Sequence, residues 1–133
     1  MEIDFDFRKE KSNIFGEIRR PIARLILIKG KIKLPEIFYV DSGADVTLIP
    51  RSVGELLGFK VKSPEEISEI KGIGEHGIPI VIRKITFQIG QTKIPSKIAW
   101  SLVENVPLLL GREDFFKYFD IVFCKNKKTI FRK

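Results

Sequence analysis

Residues 38–49 read Phe-Tyr-Val-Asp-Ser-Gly-Ala-Asp-Val-Thr-Leu-Ile, two apolar stretches divided by a short turn with a carboxylate at each end. An apolar run that stops on Asp-Ser-Gly is a strand entering a tight turn, and Val46 to Ile49 is a second strand leaving it. The pattern confines Asp41 to the end of a buried strand, held rigidly and partly withdrawn from water. Gly43 lets the backbone pass close to that carboxylate. A carboxylate so placed can share a proton with a second one and activate a water.

The rest of the chain repeats short apolar runs and turn signals. Ile3, Phe5 and Phe7 alternate with acids, which predicts an N-terminal strand in need of a partner edge. Leu25 to Ile28, the turn Lys29-Gly30-Lys31, and Ile32 to Val40 predict a hairpin running straight into Asp41. Pro50 can open a short helix through Val53, Leu56 and Leu57, ended by Gly58. Ile67 to Ile70 and Ile78 to Ile82 flank a tip with three glycines, and Gly90-Gln91 joins two further strands. Gly111 to Tyr118 predicts a second helix with Phe115, Phe116 and Phe119 on its apolar face. A hairpin closes the chain, Ile121 to Phe123 and Thr129 to Phe131 about a Lys125–Lys128 turn. The expectation is a mostly β barrel or sandwich in a single domain, 1–133, with residues 1–17 as a strand-forming N-terminal extension.

Composition narrows the function. No stretch approaches the roughly 20 apolar residues of a membrane span, and the acidic, alternating start is unlike a secretory signal. A cytoplasmic location with no membrane partner is therefore expected. The single Cys124 cannot form an internal disulfide, and His76 has no companions for a metal site. The net charge of +7 admits an acidic partner. Its lysines, however, are spread beside turns, where they keep strand edges soluble.

Three features stand in order: Asp41-Ser42-Gly43-Ala44-Asp45, the tip Gly72-Ile73-Gly74, and Pro107-Leu108-Leu109-Leu110-Gly111-Arg112. With Arg20-Pro21 ahead of the first hairpin, they make residues 18–133 resemble the retroviral-type (retropepsin-like) aspartic proteases. The resemblance implies a retropepsin-like closed barrel, the acid protease fold, with one or two short helices and one catalytic triplet per chain. No second Asp-(Ser/Thr)-Gly follows, so it also implies a homodimer in which Asp41 of each copy acts on one water. The substrate would be a peptide or protein, and neither cofactor nor metal is implied.

The resemblance also assigns neighbouring roles. Ser42 would hydrogen-bond across the dimer, and Ala44, without a hydroxyl, withholds one hydrogen bond from the aspartate. Arg112, after Gly111, would pair with Asp45, and Arg20 would reach Asp45 of the partner subunit. Gly72, Ile73 and Gly74 would form a closing flap, while Val106, Pro107 and Leu109 line apolar subsites. The chain departs from the family at Glu75 and His76 of the flap and in its longer N-terminal segment.

Two other readings compete. The same fold could serve as a catalytically silent dimerisation or peptide-binding module, which an obstructed flap would favour. A nucleic-acid-binding barrel ranks last. It needs aromatic residues alternating with Lys or Arg on one face, and the phenylalanines fall mostly in the tails and the C-terminal helix.

Overall fold

Two glycines in the left-handed region, Gly30 (φ +59°) and Gly90 (φ +55°), close the hairpins that form most of the barrel wall. In this computed structural model, which describes residues 1–72 and 77–133, strands β4 (Ile22–Lys29) and β5 (Ile32–Val40) meet at Gly30. Strands β8 (Ile78–Ile89) and β9 (Thr92–Ser101) meet at Gly90. Both hairpins are antiparallel, and a third antiparallel seam pairs Leu27 of β4 with Phe87 of β8.

Two very short strands close the ring. Strand β6 (Leu48–Ile49) lies parallel to β9, and β10 (Leu109–Leu110) lies parallel to β5. Leu109 then pairs with Leu48. The closed order is β4-β5-β10-β6-β9-β8, with β7 (Ile67–Ile70) added on the outer edge of β8. Closure leaves few free edges and seals Phe38, Phe87, Phe115, Ile49, Ile98 and Leu110 inside. Phe87 sits edge-on to Phe38 and to Phe115, with centroids 5.6 and 5.1 Å apart.

The helix after Pro50 is present as α1 (Arg51–Leu56), with Gly58 at φ +86° beyond it. Gly54 lies flat against Trp100, where a Cβ would come within 2.1 Å of the indole nitrogen. That indole N–H donates to the Arg51 carbonyl at 3.0 Å. Leu56, expected on the apolar face, is exposed. The helix expected over 111–118 contracts to a single wide turn at Arg112–Phe116. Its ends explain why: Gly111 is bonded into the barrel, and Asp120 already belongs to the next strand.

Strand β1 (Glu2–Asp6) finds its edge on β12 (Lys128–Arg132), which also pairs with β11 (Asp120–Cys124). The N-terminal segment is more than one strand. Strands β2 (Arg8–Ser12) and β3 (Gly16–Arg20) form a ribbon that pairs with neither sheet. Among the described residues no helix is long and apolar enough to cross a membrane.

The β7–β8 hairpin is tied down at its base. Ser63 and Glu66 cap a short turn at Pro64–Glu66, and Glu66 pairs with Arg83 of β8 at 3.0 Å. The Arg83 hydrogen bond, then the Lys62 backbone N–H, hold the Glu66 carboxyl down to about 2. A lowered folded-state pKa makes this support complete above the ordinary carboxylate range and drains it as pH falls toward 2. Arg83→Gln should therefore flatten the acid limb of stability below pH 4.5. Thermal unfolding at stepped pH checks this, and an unchanged acid limb would contradict it.

Candidate active site

Asp41 directly follows β5, and its N–H and those of the two residues before it each reach a different residue. Tyr39 N–H donates to the Leu108 carbonyl at 2.9 Å, Val40 N–H to Pro21 at 3.1 Å, and Asp41 N–H to Leu110 at 3.2 Å. The turn then folds back on its own aspartate. Gly43 N–H donates to Asp41 Oδ1 at 2.9 Å, and Ala44 N–H to the Asp41 carbonyl at 3.2 Å. A Cβ on Gly43 would lie 3.3 Å from that same oxygen, so glycine gives the carboxylate its room. Asp41 is half-buried, while Ser42 and Gly43 face outward.

A clasp behind the turn sets its position. Thr47, fully buried, accepts the Gly111 N–H on Oγ1 at 3.0 Å. Arg112 N–H donates to the Ala44 carbonyl at 2.8 Å, and Glu113 N–H to the Asp45 carbonyl at 2.9 Å. The Arg112 and Asp45 side chains are both exposed, and no ion pair joins them among the described residues. The tie expected between side chains is made by main chain. Asp114, on the same turn, is partly withdrawn from water, and this burial pushes its carboxyl up.

A cleft of about 480 Å³ opens beside Asp41, lined by Glu10, Arg20, Pro21, Tyr39, Pro107 and Leu109 among others. Of the expected subsite residues, Pro107 and Leu109 line it. Val106 instead lines an adjoining groove of about 1130 Å³ that shares Tyr39 and Pro107 with the cleft. Gly72 follows β7, and a Cβ there would meet none of the described residues within 4 Å. Ile73, Gly74, Glu75 and His76 lie outside the described residues.

Glu10 and Tyr39 are site residues that the sequence did not announce. Arg8 of β2 stands directly opposite Arg20 of β3, and the Glu10 carboxylate bridges the two. Arg20 Nε meets Glu10 Oε1 at 2.9 Å, and Arg8 meets Oε2 at 3.0 Å. The Tyr39 hydroxyl donates to the same carboxylate, and the Arg8 guanidinium lies 5.0 Å from the Tyr39 ring centre. The Tyr39 hydrogen bond and the two arginines hold the Glu10 carboxyl below its ordinary range, against partial burial. Arg20, expected to face a partner subunit, thus has a partner within its own chain. Among the described residues, no group of three or more His, Cys, Asp or Glu side chains is placed to hold a metal ion.

No family model matches the chain, and no curated protein does. Solved structures do. One is EIAV protease complexed with the inhibitor HBY-793, at 16 % identity and a TM-score of 0.52, covering 78 % of this chain and 89 % of that one. Another is a retropepsin-like aspartic protease from Rickettsia conorii, at 14 % identity and a TM-score of 0.61, covering 98 % of this chain and 91 % of that one. The chain has the retropepsin-like fold.

Proposed function

We propose that this chain is one half of a homodimeric aspartic endopeptidase, with Asp41 of each copy flanking a single water. The observation that carries this is Asp41 itself, fixed by its own turn and a main-chain clasp at the mouth of a cleft. The sequence supplies one such triplet, so the second carboxylate comes from a second chain. The two solved structures of this fold are named as proteases, which supports the reading.

Two carboxylates at close range cannot both ionise, so they share one proton. The ionised member takes a proton from the water as its oxygen attacks the peptide carbonyl carbon. The protonated member donates to the carbonyl oxygen, giving a neutral tetrahedral diol. Collapse of that diol breaks the C–N bond, a proton passes to the leaving amine, and the shared proton is restored. Ser42 of each copy bonds to the partner's turn. An extended peptide is gripped strand-fashion, with apolar side chains on Pro107 and Leu109.

The test is incubation with an unstructured protein from about pH 3 to 7, with products identified by mass spectrometry. Cleavage blocked by pepstatin is expected. A dimer that cleaves nothing across this range would leave the silent binding module as the better account.

A further inference from the structure

We propose that the β2–β3 ribbon is the arm through which two copies of this chain join, with Ile14 and Phe15 at its tip buried against the partner copy. This rests on the dimeric reading above and names the surface that makes the dimer. A two-stranded ribbon in water is marginal on its own, yet this one pairs with neither sheet of the chain. Its apolar tip is ordered: Ser12 Oγ accepts both the Ile14 and the Phe15 N–H at 3.2 Å, and Gly16 turns the chain at φ +74°. Nevertheless Ile14 is 83 % and Phe15 77 % exposed. Two adjacent large apolar side chains held in water on an ordered tip are a contact awaiting its other half.

The root of the ribbon says which half. Glu10 and Arg20 line the same cleft as Asp41, and Glu10 is bonded to Tyr39, two residues before Asp41 on β5. Phe7 closes the base, buried edge-on to Phe123, with its N–H on the Lys127 carbonyl at 2.8 Å. If Asp41 must meet its copy across a twofold axis, a ribbon rooted in its cleft starts on the side of the chain that faces the copy. In the terminal sheet β12 is paired on both sides, by β1 and by β11, which leaves the outer edges of β1 and β11 as the competing contact. A twofold contact uses the same patch on both copies, so the tips and ribbons meet as equals.

Charge separates this occupant from an acidic one. Residues 8–20 carry five basic and two acidic side chains. Two such ribbons repel, so added salt tightens a dimer built on their apolar tips. Salt would loosen a complex with an acidic partner.

Sedimentation of the full chain and of a variant carrying Ile14→Ser and Phe15→Ser over a wide concentration range tests the proposal. Circular dichroism verifies the fold of both. The wild type should be a dimer that salt tightens, and the variant's dimer should be about a hundredfold weaker, because each lost side chain counts on both copies. A variant as dimeric as the wild type would overturn the arm and leave the protease reading standing. So would dissociation by Phe123→Lys on the free edge of β11 with no effect of the tip substitutions. A wild type that dimerises through the tip but cleaves nothing supports the arm and defeats the protease. A wild type monomeric throughout defeats both.

Discussion

Asp41→Asn should lower peptide hydrolysis by at least about a thousandfold, the scale of losing positioned acid–base catalysis, while fold and dimer survive. The substitution is nearly isosteric, and the amide oxygen can still accept the Gly43 N–H that Asp41 Oδ1 accepts at 2.9 Å. What is lost is the ability to take and return a proton. Cleavage rates measured on dimers of known concentration, with near-ultraviolet circular dichroism for the fold, check the expectation. A variant with most of its activity would remove Asp41 from the chemistry. A variant that unfolds would show instead that the carboxylate is structural.

Gly111→Ala carries the second large effect, and its cause lies behind the site. A Cβ at this position would come within 2.3 and 2.5 Å of the Val46 carbonyl carbon and oxygen, and 2.8 Å of the Thr47 nitrogen. All three are backbone atoms, so no side chain can swing away, and the segments leading into β6 and out of β10 must part. Overpacking of this kind costs about 3 kcal/mol, or roughly 10 °C in Tm for a chain of this size. Activity should fall further than stability, because the displaced segment also carries the main-chain bonds from Arg112 and Glu113 to the Asp41 turn. Gly72→Ala is the comparison: a Cβ there meets nothing within 4 Å among the described residues, and stability should stay within about 0.5 kcal/mol. Denaturant midpoints for the two variants decide the matter, and equal midpoints would refute the clasp.

The strong local signals were those the sequence could carry. Gly30 and Gly90 sit in left-handed turns between apolar runs, so both long hairpins were legible before any fold was known. The Asp41 turn announced itself because an apolar strand ends on it. Barrel closure did not, since Leu48–Ile49 and Leu109–Leu110 are too short to show any period. The β2–β3 ribbon was hidden for the opposite reason: its strands are mostly charged, and its pattern marks no core face.

Within the site, Arg112 and Asp45 invite a side-chain pair, yet main-chain bonds from the same segment make the tie. Backbone contacts leave no trace in residue identity unless a glycine betrays a close approach, as Gly111 does. Thr47 was detectable in principle. A hydroxyl inside the apolar run Val46 to Ile49 needs a partner when buried, and the Gly111 N–H is that partner. Glu10 carried no comparable mark, because its meaning depends on Arg8 and Arg20 facing each other across the ribbon.

The central claim is that one active site is assembled from Asp41 of two chains, and mixing tests it most directly. Wild type and Asp41→Asn are combined in equal amounts, allowed to exchange subunits, and assayed at a concentration where all chains are dimeric. If both carboxylates are required, mixed dimers are silent, and activity falls to about a quarter of that of the same total of wild type. If each chain works alone, activity stays at about half, and the shared site is contradicted.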